Sequence, residues 1–182
     1  MAWPLWSAEK ASWATRRLGG LFACAALCLV GTSFAQESEL KRLLATDAPD
    51  PVALAFAVAR MQDPGLDGGA VEKRLADAAA GLRTSLANAT EDEARVGALS
   101  HAVHQVLGLK VEQEVALELA TVNVFPHQVF ERRRGACLGL SLIYLSLAQR
   151  AGLDVRGVSL PGHFFVRYRG TVTLNLEPTL EG

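Results

Sequence analysis

Cysteine is scarce in this chain of 182 residues: Cys24 and Cys28 lie within the first 35 positions, and Cys137 stands alone in the remainder. A lone thiol can close no internal disulfide, so it serves as packing, as a link to a partner or as a nucleophile. Tryptophan is confined to the start, where Trp3, Trp6 and Trp13 are the whole complement. Charge of one sign is lacking too. Eighteen basic residues face nineteen acidic ones, a formal net charge of −1, and without a basic excess the electrostatic footprint of a nucleic-acid binder is missing. The longest apolar stretch, Leu18 to Val30, is too short for a comfortable membrane span.

That stretch belongs to a leader. Lys10, Arg16 and Arg17 precede it, GTSFAQ follows it, and Ser33 and Ala35 flank Phe34 in the small-x-small pattern that signal peptidases accept. Residues 1–35 are therefore expected to be a signal peptide cleaved near Ala35, which places the mature protein in the periplasm or outside the cell. The alternative is a membrane anchor made by an uncleaved leader. Cleavage removes two thiols and every tryptophan, and the mature chain becomes mildly acidic. Its length suits one compact domain, or a domain with a helical extension, and no stable membrane span is expected after processing.

Residues 36–110 read as a helical N-terminal region. ESELKRLLA and PVALAFAVARMQ are apolar-periodic, and Asp50 stands as an N-cap before Pro51 at the first helical position. Val71, Leu75, Ala78, Ala79, Leu82 and Leu86 recur at three- and four-residue intervals, lining one face of a third helix. Thr90 and Glu93 predict a capping box for a fourth, which Gly108 helps to end. His101 and His104 on that helix lack a nearby thiol or carboxylate to complete a metal set, so they read as a partly exposed pair. His127 reads as a surface or capping residue, and no calcium-site sequence is visible. No metal and no cofactor is expected.

The character changes in residues 111–182. FPHQVFERRR predicts a short helix, GA a turn, and CLGLSLIYLSLAQRAG a helix so apolar on all sides that it must be buried, ended by Gly152. DVRGVSL, HFFVRY and TVTLNLE read as three strands, the last two joined at Arg169 and Gly170 as a hairpin. The whole pattern is α+β.

Cys137 falls in the first turn of the buried helix, where unpaired backbone N–H groups and the helix dipole favour a thiolate. Arg132, Arg133 and Arg134 add positive charge, although such a run is usually a solvated face. With a hairpin turn of two or three residues, antiparallel register sets His163 opposite Leu176 or Glu177. Glu177 is then placed to accept the second imidazole N–H and fix the tautomer, and Asn175, on the same face, is the other candidate. Nucleophile, base and orienter are the parts of a thiol acyl-transfer site. Asn123 and Gln128 are candidates for a further oxyanion donor.

These residues also carry a resemblance. A Gly-x-Cys helix start, a following β-region with PGHF, and a last strand ending in NLEPT resemble the transglutaminase-like superfamily, and more narrowly its bacterial SirB-type branch with a helical N-terminal region. The resemblance implies a papain-like core, with the nucleophile helix packed on a small antiparallel sheet, and a catalytic triad of Cys137, His163 and Glu177. The family's third member is usually an aspartate in a DPT context, whereas this chain has Glu177-Pro178-Thr179. The activity implied is a cysteine hydrolase or acyltransferase acting on amide or peptide bonds, as a protease, an amidase or a transglutaminase. Its partner would be a protein or peptide substrate of the cell envelope. A catalytically inactive interaction module in the envelope is the alternative, and a redox-responsive thiol is another.

Overall fold

A computed structural model describes residues 36–112 and 124–180. The expected leader and Asn123 lie outside the described residues. Helices α1 (36–44), α2 (Pro51–Arg60), α3 (Gly69–Leu86) and α4 (Asp92–His101) come first. Short strands β1 (Lys110–Val111) and β2 (Arg134–Gly135) flank α5 (Pro126–Arg132); α6 (Cys137–Ala151) then leads into β3 (Val155–Leu160), β4 (His163–Arg169) and β5 (Thr173–Leu176). A 3-10 turn, Pro178–Leu180, follows. The fold is α+β.

Local chemistry accounts for several boundaries. The Asp50 carboxylate accepts from the N–H groups of Val52 and Ala53, with Pro51 at the first helical position of α2. On α3 the six predicted face residues, Val71 to Leu86, are all buried. Helix α6 packs against α2, α3, α4 and α5 and also against β3 and β4. Its Leu140, Ile143, Tyr144 and Leu147 are fully inaccessible to solvent, and each such side chain contributes roughly 1.5–3 kcal/mol of burial. One hydrophobic cluster runs from Val52 to Leu176, so the helices before residue 110 and the sheet after it share a core.

Four expectations are corrected. Glu91, not Thr90, is the N-cap of α4, with no side-chain cap hydrogen bond, and Asp92 in the first turn gives its carboxylate to the β4–β5 hairpin. The helix does not run evenly to Gly108. It widens into a π-turn over Ala102–Val106, closed by Leu107 N–H on the Ala102 carbonyl at 3.0 Å. That extra residue rotates His104 inward. His104 is buried, donating through Nδ1 to the Leu109 carbonyl at 2.8 Å and tilting against Tyr144, while His101 stays exposed. Gly135 and Ala136 do not make a simple turn either: α5 ends at Arg132, and Arg134 and Gly135 pair in parallel with Lys110 and Val111.

The fourth correction is the hairpin register. The connection is Gly170–Val172, with Arg169 opposite Thr173 and Val166 opposite Leu176. Continuing that ladder would set His163 against Thr179 rather than Leu176 or Glu177. The three-residue tip falls later in the sequence than expected, and α4 holds it there: the Thr171 hydroxyl and the Val172 N–H both donate to Asp92, at 2.5 and 2.8 Å. Relative to the Glu177 pairing the shift is even, so alternation along the strand leaves Glu177 on the same face as His163.

Candidate active site

Cys137 is the first residue of α6. Its predecessor Ala136 is extended and offers no side-chain cap, so the first-turn N–H groups have no acceptor within the helix. Gly135 brings the chain in close: a Cβ there would lie 3.0 Å from Leu140 Cγ and 3.1 Å from Val129 Cγ1. Only a bare backbone lets β2 pass between α5 and α6, and the direction of that passage delivers the thiol to the surface, where it is half-buried.

His163 arrives by a different device. Pro161 and Gly162 make a two-residue turn with Gly162 at φ +73°, a type II signature, and Leu160 pairs with His163 across it. The imidazole is thereby held at the first position of β4, stacked near Phe165 with ring centroids 6.2 Å apart. Cys137 and His163 line one cleft of about 370 Å³, together with Glu112, Val124, Leu138 and Thr179. They do not hydrogen-bond each other there.

Glu177 lies just past the end of β5, and its Oε2 is 2.6 Å from His163 Nε2. This contact assigns Nε2 as the protonated nitrogen of a neutral ring and leaves Nδ1 with the lone pair. The other carboxylate oxygen, Oε1, accepts from the Thr179 hydroxyl at 2.6 Å and the Thr179 N–H at 3.2 Å. Burial pushes the Glu177 carboxyl up, but the Thr179 hydroxyl, His163 and the Thr179 N–H together outweigh it and hold the group below the usual carboxylate range. Asn175, the other candidate orienter, sits opposite Arg167 and accepts from its Nε at 2.8 Å.

The remaining predicted residues are elsewhere. Gln128 on α5 has a buried side-chain oxygen with no partner among the described residues and does not line the cleft. Arg132, Arg133 and Arg134 are exposed, with Arg133 in the left-handed region at φ 53°, where it ends α5. His127 is half-buried between Phe56 and Phe125 rather than on the surface, and burial lowers its pKa. No group of three or more metal-ligating side chains occurs among the described residues. Thr179 was not singled out from the sequence, although the EPT tripeptide that contains it was.

Comparison with known proteins places most of this structure in a family. A family model described as transglutaminase-like superfamily matches residues 69–182. The chain is 30% identical over 113 residues to a UPF0162 protein of Xylella fastidiosa (strain Temecula1 / ATCC 700964), covering 62% of this chain and 40% of that one. It is 38% identical over 47 residues to F-box only protein 21 of Mus musculus and of Homo sapiens, covering 26% of this chain and 8% of each of those. It thus matches well under half the length of these relatives. No solved structure matches.

Proposed function

This chain belongs to the transglutaminase-like superfamily, and from that premise we propose that it is an exported cysteine enzyme in which Cys137, His163 and Glu177 carry acyl transfer on amide or peptide bonds. The observation that carries this reading is the 2.6 Å hydrogen bond from Glu177 to His163, whose imidazole lines the same cleft as Cys137. A carboxylate on Nε2 fixes the tautomer in which Nδ1 accepts a proton, which is what a thiol nucleophile needs beside it.

The chemistry follows in balanced steps. The Cys137 S–H proton passes to His163 Nδ1, and the thiolate sulfur attacks the carbonyl carbon of the substrate. The oxyanion so formed is received by backbone N–H groups at the start of α6. As the C–N bond breaks, His163 returns the proton to the leaving amine, and a thioester remains on Cys137. Water or an acceptor amine then gives a proton to His163 and attacks the thioester, releasing product and regenerating the thiol. Glu177 stays ionised throughout and stabilises the imidazolium. The loose apo relation of Cys137 and His163 tightens when substrate fills the cleft, a common property of such pairs.

The substrate is a protein or peptide of the cell envelope, reached by export and removal of residues 1–35. The helical N-terminal region and the PGHF motif point to the SirB-type branch. The test is the rate of Cys137 alkylation by iodoacetamide at neutral pH. The wild-type thiol is expected to react about tenfold faster than free cysteine, which is only a few per cent thiolate there, and His163→Ala should remove that advantage. Equal, slow rates in both proteins would overturn the reading.

A further inference from the structure

Glutamate in the third position of the site raises a geometric problem. Compared with the family's usual aspartate, Glu177 carries an additional rotatable bond, and each such freedom has to be removed before the carboxylate can hold a ring in one orientation. The surrounding turn removes it. Pro178 is buried and fixes the chain direction after β5, and the Leu180 N–H closes the 3-10 turn on the Glu177 carbonyl at 3.0 Å. Within that turn Thr179 sends both its N–H and its hydroxyl back to Oε1 of Glu177, leaving Oε2 directed at His163.

We infer that Thr179 is a positioning residue: its hydroxyl locks the Glu177 carboxylate so that Oε2 holds His163 as the Nε2–H tautomer, with Nδ1 presented to the cleft. This rests on the acyl-transfer reading for its purpose, though not for its geometry. The Thr179 backbone N–H would persist in any variant except proline, but at 3.2 Å it is the longer bond. The 2.6 Å hydroxyl contact to an ionised oxygen is the stronger of the two. Thr179 also lines the cleft, so substrate binding and carboxylate alignment meet at one side chain.

The experiment uses the full chain with Thr179→Val, Thr179→Ser and wild type. Long-range nitrogen–proton NMR of His163 reads the tautomer directly, and iodoacetamide labelling reads Cys137 reactivity. Wild type and Thr179→Ser should show the Nε2–H form. Thr179→Val, which keeps the shape and loses the hydroxyl, should show a tautomer mixture and label about tenfold more slowly, the scale of one lost hydrogen bond to a charged group. Circular dichroism confirms that the variants are folded, and Thr179→Ala serves if the valine is not accommodated. An unchanged tautomer and rate in the folded variant would overturn the inference while leaving the triad standing. A wild-type thiol no faster than free cysteine would instead sink the acyl-transfer reading, and the tautomer comparison would still decide the role of Thr179.

Discussion

The Tyr168 hydroxyl donates to the Asp92 carboxylate at 2.8 Å, tying β4 to the first residue of α4 across 76 positions of sequence. With Thr171 and Val172 donating to the other oxygen, one carboxylate organises the whole β4–β5 tip. The Thr171 hydroxyl and the Val172 N–H, helped by Tyr168, hold Asp92 at about 2 against the opposing effect of burial.

That depression has a definite sign. A carboxylate with a folded-state pKa below its unfolded value stabilises the fold above the unfolded pKa and loses that contribution as pH falls through the folded one. The thermal midpoint of wild type should therefore exceed that of Asp92→Asn at neutral pH, and the gap should close between about pH 5 and about pH 2. A gap independent of pH would show that the carboxylate charge is irrelevant to the clamp.

Gly170 leaves no room beside this clamp. A Cβ at that position would meet Asp92 Oδ1 and the ring and hydroxyl of Tyr168. Gly170→Ala should destabilise the protein by about 1–3 kcal/mol through overpacking, measured as a lower urea midpoint. The double variant with Asp92→Ala should lose less than the sum of the two single ones, because the two positions share a contact.

A second carboxylate binds the helical region to α6. Asp50 caps α2 and also accepts from the Ser146 hydroxyl and from Arg150 Nε, at 2.8 Å each through Oδ2. Asp50→Ala should cost about 2–3 kcal/mol, combining a lost cap with a half-paired Arg150. Asp50→Asn keeps a capping oxygen and should cost clearly less in the same denaturation measurement. Equal losses would mean that the cap contributes nothing.

Glu177→Asp introduces the residue usual in the family. The shorter side chain cannot keep both the Thr179 contacts and the reach to His163 on the present backbone. Cys137 alkylation in this variant should fall between wild type and His163→Ala, and an unchanged rate would show that the turn re-forms around the aspartate.

The proposed export has a spectroscopic signature. All three tryptophans precede residue 36, so protein processed near Ala35 should emit only tyrosine fluorescence and begin at Gln36 by mass spectrometry. Tryptophan emission from protein recovered from the periplasm would point to the uncleaved anchor.

Much of the fold was legible because it depends on local pattern. The α3 face, the Asp50 cap, the buried α6 and the three strands follow from periodicity and from residues adjacent in sequence. Sequence also brought out Cys137, His163 and Glu177 as the proposed triad, since a helix start, a Pro-Gly turn and a strand end are short-range features. What it misplaced depends on contacts between distant elements. The inward turn of His104 comes from an extra residue in the helical ladder, and the hairpin register comes from Asp92 reaching the tip from α4. Alternation with period two explains why that register error did little harm: an even shift keeps Glu177 on the His163 face. Sequence favoured Glu177 over Asn175 because a carboxylate stabilises an imidazolium, but only the tertiary structure shows the contacts that separate them: Arg167 engages the amide while a 3-10 turn brings the carboxylate, held by Thr179, back to the imidazole.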